Sequence, residues 1–116
     1  MTVRIYHNNR CSKSRGTLEL LQARGIAPDI VNYLDTPPSV DELKSLLRLL
    51  GMTPRQLLRT GEAEYAQLRL DDPALDDDAI LAAMVAHPKL IERPIVVANG
   101  KAAIGRPPEA VLAILS

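Results

Sequence analysis

The stretch Val3-Arg4-Ile5-Tyr6-His7-Asn8-Asn9-Arg10-Cys11-Ser12-Lys13-Ser14-Arg15, followed by Thr17-Leu18-Glu19-Leu20-Leu21, decides both fold and chemistry. Val3 and Ile5 alternate with Arg4 and Tyr6, which is the period of a strand. From Ser12 to Arg24 the leucines recur helically, and Gly25 suits the position just past a helix C-terminus. Cys11, the one cysteine of the chain, therefore falls on a strand-to-helix turn at or just before a helix N-terminus. Unpaired backbone N–H groups and the helix dipole favour an anion there, and a thiolate is an anion. A free thiol has a pKa of about 8.5, which helix N-termini and cationic neighbours can bring below about 7.5. His7, Arg10, Lys13 and Arg15 all lie within four residues of the sulfur. The same donors could hold an oxyanion beside the nucleophile. A lone cysteine in a small protein is most often an inert apolar residue, but polar, cationic flanks are a poor setting for one, so a reactive thiol is the better reading.

Working outward, Pro28 leads into Ile30-Val31-Asn32-Tyr33-Leu34, a second strand, and strand–helix–strand at this spacing predicts a right-handed βαβ unit with parallel strands. Thr36-Pro37-Pro38 is a loop. Ser39 with Glu42 makes a capping box before Leu43, Leu46, Leu47 and Leu50, and Gly51 closes that helix. Thr53-Pro54-Arg55-Gln56 repeats the start signal, with proline at the first helical position. Glu62 to Leu68 predicts a short helix. Asp76 or Asp77 opens another, carrying Ile80, Leu81, Met84 and Val85, which His87-Pro88 stops. Ile95-Val96-Val97 is a strand, Asn99-Gly100 a strong hairpin signal, and Lys101 to Ile104 the returning strand. Gly105-Arg106-Pro107-Pro108 turns into a last helix bearing Val111, Leu112, Ile114 and Leu115. The expected order is β-α-β, a helical middle, then β-β-α: an α/β chain of thioredoxin-like fold in one domain, with thioredoxin-like parts at about 1–36 and 88–116 around a helical insert at about 39–87.

Composition narrows the partners. A chain of 116 residues with 47% hydrophobic side chains suits one compact domain, although Leu, Ile, Val and Ala must fill a core without Trp or Phe. Fourteen basic and fourteen acidic side chains cancel, so no overall charge argues for nucleic acid. No apolar run approaches the roughly 20 residues of a membrane span, and no signal-peptide core precedes the first strand. One cysteine excludes an internal disulfide and, with two histidines, a cysteine-rich zinc site. A reducing cytoplasm suits a free, exposed thiol, and the expectation is a monomer without bound metal.

Thioredoxin-type folds place the redox cysteine after the first strand, where Cys11 stands. Three residues on is Ser14, so the motif is Cys-x-x-Ser, and any oxidised partner of Cys11 must come from outside the chain. Ser14 could donate a hydrogen bond to the thiolate or simply satisfy the first helical turn. Arg93-Pro94 directly precedes the third strand, where thioredoxin-type folds commonly carry a cis proline beside the redox cysteine, which would aim Arg93 at Cys11. Arg106-Pro107 opens the final helix and Arg59 ends a helix of the insert. Alone, Arg93 and Arg106 read as solvated side chains and Arg59 as compensation of a helix dipole, and their convergence on one thiol would make a site. His7 could pack at the strand end or face the thiol, and His87 reads as structural.

These stretches carry a resemblance. Ile5-Tyr6-His7-Asn8 through Cys11 to Ser14-Arg15, Tyr33-Leu34 with Thr36-Pro37-Pro38-Ser39, Leu57-Leu58-Arg59, His87-Pro88 with Leu90-Ile91, Glu92-Arg93-Pro94-Ile95-Val96-Val97 and Arg106-Pro107 resemble the glutaredoxin-coupled arsenate reductase family along essentially the whole chain. Cys11 to Arg15 and Ile104 to Glu109 resemble a short bacterial branch of it. The resemblance implies that Cys11 attacks arsenate, that Arg59, Arg93 and Arg106 bind the oxyanion, that His7 helps keep the thiolate and that Ser14 hydrogen-bonds it. It also implies glutathione as co-substrate and glutaredoxin as partner, with no bound cofactor. Asn9-Arg10 replaces a small or proline-containing pair, and the chain stops at Ser116 without the C-terminal extension of other members. Two other readings share the fold: a general glutathione-linked thiol oxidoreductase, and an Spx-like regulatory module binding RNA polymerase. Modules of the second kind typically carry the second cysteine that Ser14 replaces.

Overall fold

The computed structural model describes residues 2–115. The chain forms two compact units: one ends at Thr36 and resumes at Arg93, and the other spans Pro37–Glu92.

The first unit holds β1 (Val3–His7), α1 (Ser12–Ala23), β2 (Asp29–Asn32), β3 (Ile95–Ala98), β4 (Lys101–Ile104) and a closing 3₁₀ helix at Pro108–Ile114. Its sheet runs in the order β2-β1-β3-β4. β1 pairs parallel with β2, placing His7 opposite Asn32, and antiparallel with β3, placing Tyr6 opposite Ile95. This is the thioredoxin-like arrangement expected from the element order. The alternation read along β1 buries Val3 and Ile5 with Leu21, Val96, Ala98, Val111 and Ile114 in one apolar cluster, each fully buried Ile or Leu contributing about 1.5–3 kcal/mol. The β3–β4 turn uses Asn99 and Gly100 with φ of 55° and 71°, the paired positive values that an Asn-Gly turn supplies.

The end of β2 and the type of the last helix differ from the sequence reading, and other element ends shift by a residue. β2 stops at Asn32 rather than Leu34, because the Asn32 carbonyl accepts the N–H groups of Asp35 and Thr36 and bends the chain into a turn. The last helix is 3₁₀ rather than α; its short apolar pattern after two prolines suits either period.

The second unit holds α2 (Val40–Leu50), α3 (Pro54–Leu57), α4 (Ala63–Gln67), α5 (Asp77–Ala86) and a 3₁₀ turn at Pro88–Leu90. The starts of α2, α3 and α5 are those the caps predict, whereas α4 starts on Glu62 without a side-chain cap. Ser39 accepts from the Glu42 N–H, Thr53 and Gln56 form a reciprocal capping box, and Asp76 accepts from the Ala79 N–H. α5 packs against α2 and α3, burying Leu43, Leu46, Leu57, Ile80, Leu81 and Met84. Among the described residues no helix is long and apolar enough to cross a membrane, and no cluster of His, Cys, Asp and Glu could hold a metal.

Candidate active site

β1 delivers the chain to a tight turn. The Asn8 carbonyl accepts the Cys11 N–H at 3.0 Å, and Asn8 Oδ1 accepts the Arg10 N–H at 3.0 Å. Cys11 thereby becomes the N-cap residue of α1 in extended conformation, half-buried, and α1 carries no acidic residue in its first turn. Burial by itself pushes the Cys11 thiol up. The backbone N–H of Ser14, the Arg93 guanidinium and the backbone N–H of Lys13 outweigh it and bring the thiol below its ordinary value. The sulfur does not close a cap hydrogen bond of the kind Ser39 makes, so these donors remain directed at the anion it can become.

Two guanidiniums face that sulfur. Arg93 bonds it and adds its positive charge. Arg106 donates through Nε to the Arg93 carbonyl at 2.8 Å, which fixes its fork, and places Nη2 3.7 Å from Cys11 Sγ. Both arginines precede cis prolines, at Arg93–Pro94 and Arg106–Pro107; the first was expected from sequence and the second was not. Pro94 is buried, and its carbonyl accepts the Gly105 N–H at 3.0 Å. A methyl group on Gly105 would fall 2.8 Å from Pro94 Cγ and onto the Thr17 side chain, so only glycine lets β4 approach α1 and Pro94 this closely.

His7 and Ser14 form a buried pair behind the turn. Ser14 Oγ lies 2.6 Å from His7 Nδ1 and accepts the Asn8 N–H at 3.0 Å. Burial, then the charge of Arg15, pushes the imidazole below 6.5, so His7 is neutral at pH 7 and shares one proton with Ser14, the donor being set by its tautomer. The Ser14 hydroxyl, which the resemblance gave to the thiolate, is thus engaged by His7 and Asn8; Ser14 acts on the sulfur through its backbone N–H. No periodicity reveals such a rotamer. Arg59 lies in the second unit, where its Nη1 donates to Glu92 at 2.7 Å and its Nε to Glu62 at 3.3 Å.

A half-buried thiol of lowered pKa, fixed at a helix N-terminus opposite two guanidiniums, defines a thioredoxin-like site built for an anion. The ArsC family model matches residues 6–114, and the chain belongs to the ArsC family. It is 54% identical to an arsenate reductase of Neisseria meningitidis over 97% of each chain, and 50% identical to an arsenate reductase of Haemophilus influenzae over 99% of this chain and all of the other. The solved structure of an arsenate reductase from Vibrio cholerae superposes with a TM-score of 0.97 at 59% identity, covering 99% of this chain and 98% of that one.

Proposed function

We propose that the protein reduces arsenate to arsenite, with Cys11 as nucleophile and glutathione and glutaredoxin as the thiol reductants. One observation carries the reading: Cys11 Sγ stands at an uncapped helix N-terminus with Arg93 and Arg106 both directed at it. Arsenate carries one to two negative charges at neutral pH and would repel a thiolate. Two guanidiniums neutralise that charge and can each hold two oxygens, which fixes the approach.

The Cys11 thiolate attacks arsenic and displaces hydroxide or water, giving a Cys11–S–As(V) adduct. A glutathione thiolate then attacks Cys11 Sγ. The S–S bond forms as the S–As bond breaks, and the bonding pair stays on arsenic, which leaves as arsenite. A glutaredoxin thiolate takes the glutathionyl sulfur and frees Cys11 as thiolate. Arg93 and Arg106 hold the oxyanion throughout, and neutral His7 with Ser14 keeps the thiol turn in place. Family resemblance further assigns Arg59 to the oxyanion.

The test is NADPH oxidation coupled through glutathione and glutaredoxin, with a panel of oxyanions and with Cys11→Ser and Arg59→Ala as comparisons. Turnover with arsenate that requires Cys11 supports the reading. Glutathione-disulfide exchange without arsenate turnover would replace it with a general thiol oxidoreductase.

A further inference from the structure

A second feature adjoins the thiol turn within the first unit. Parallel β1 and β2 end in register at His7 and Asn32. Beyond those ends lies a cavity of about 450 Å³, walled by residues 7–10 on one side and by Asn32, Leu34 and Asp35 on the other. The crevice outside the carboxyl ends of parallel strands is where open α/β sheets bind ligands. Its lining is mostly polar and brings one cation, Arg10, and one anion, Asp35, to the same space. Among the described residues neither side chain forms a hydrogen bond or an ion pair, so both are available to a ligand. Cys11 does not itself line the cavity but follows its wall directly in the chain, where Asn8 accepts the Cys11 N–H through its carbonyl and donates its own N–H to Ser14. The oxyanion contacts, by contrast, come from Arg93 and Arg106, which do not line this cavity.

We propose that this cavity seats the reducing thiol, a small zwitterionic peptide thiol of the glutathione kind. One of its two carboxylates pairs with Arg10, its ammonium group with Asp35, and its amide edges meet Asn9 and Asn32. The inference rests on the reductant assigned under the proposed function and gives that reductant a place separate from arsenate. A thiol held there attacks Cys11 Sγ as the S–As bonding pair passes to arsenic, so reductant and oxyanion need not compete for the same guanidiniums.

The experiment is an amide NMR titration of the full chain with S-methylglutathione, which keeps both carboxylates and the ammonium group but has no reactive thiol. Glutathione KM in wild type, Arg10→Glu and Asp35→Lys is measured in parallel. The expected result is shifts concentrated at Asn8 to Arg10 and Asn32 to Asp35, lost in both variants. Glutathione KM should rise about tenfold in each, the size of one charge-assisted contact, without a matching rise in arsenate KM. Shifts located elsewhere, no shifts, or an unchanged glutathione KM in both variants would overturn the assignment. If wild type binds S-methylglutathione at these residues yet reduces no arsenate with glutathione, the cavity assignment stands and the proposed reductant falls. If glutathione supports turnover and neither variant changes its KM, the reverse holds.

Discussion

The helices of the two units begin differently. In the second unit α2, α3 and α5 start on Ser39, Thr53 and Asp76, each accepting an N–H from the first turn, and α2 and α5 add acidic residues there. In the first unit α1 starts on Cys11, with no closed side-chain cap and no acid in its first turn. Side-chain caps satisfy the orphan donors of a helix and are worth about 0.5–2 kcal/mol each. These three helices of the insert use their first donors for their own stability, while α4, which starts on Glu62, closes no side-chain cap but carries acidic Glu64 in its first turn. The first unit leaves the donors of α1 facing a sulfur and two arginines, where a thiolate and then an oxyanion can use them. The contrast separates a helix start built to hold a fold from one built to hold an anion.

The sharpest way to break the comparison is Cys11→Ser. Serine is a far better N-cap, so α1 should be at least as stable in a thermal melt, while arsenate-dependent NADPH oxidation should fall to background. Retained turnover would show that the thiol is not the nucleophile. Next in size, Arg93→Ala or Arg106→Ala should lower kcat/KM for arsenate about 10²-fold, as removal of a preorganised donor does. Arg93→Ala should also raise the thiol midpoint, since its guanidinium helps depress it. Wild-type kinetics in either variant would remove that arginine from the site.

Gly105→Ala should destabilise the first unit by about 1–3 kcal/mol through overpacking against Thr17 and Pro94 and should lower activity, because Arg106 is the next residue. An unchanged denaturation midpoint would refute the close packing. The smallest effects sharpen the contrast itself. Ser39→Ala should cost about 1 kcal/mol of stability and leave the thiol titration unmoved. Lys13→Glu, which gives α1 the acidic first turn that α2 has, should raise the thiol midpoint by about 0.2–0.7 pH units with little change in stability.

Much of this was legible from residue order. The alternation of Val3 and Ile5, the leucine spacing after Ser12, Gly25, the Ser39 and Thr53 starts and Asn99-Gly100 are local signals, and each produced the element it predicts. The placement of Cys11 at a helix start followed from them. What was not legible depends on tertiary geometry. The end of β2 was set by a carbonyl-centred turn at Asn32, not by the apolar run through Leu34. The Ser14 hydroxyl was drawn to His7, seven residues back, by the way β1 and α1 meet. Asn32 and Asp35 join Arg10 around one cavity only because β1 and β2 pair in a particular register. The resemblance offered Arg106 for the oxyanion, but its orientation needed the Arg93 carbonyl that holds its Nε.

The account turns on Cys11 being an anion held by the start of α1 and by arginine. The direct measurement is the rate of iodoacetamide alkylation of the native protein against pH, with the unfolded chain as reference. The Ser14 and Lys13 N–H groups and Arg93 act against burial, so the native midpoint should lie below that of the unfolded chain. Thiolate formation then stabilises the fold increasingly as pH rises from the native midpoint to the unfolded one, and that contribution is lost as pH falls through the native midpoint. A native midpoint at or above the unfolded value would contradict the account, because the donors left open at α1 would then not be serving the sulfur at all.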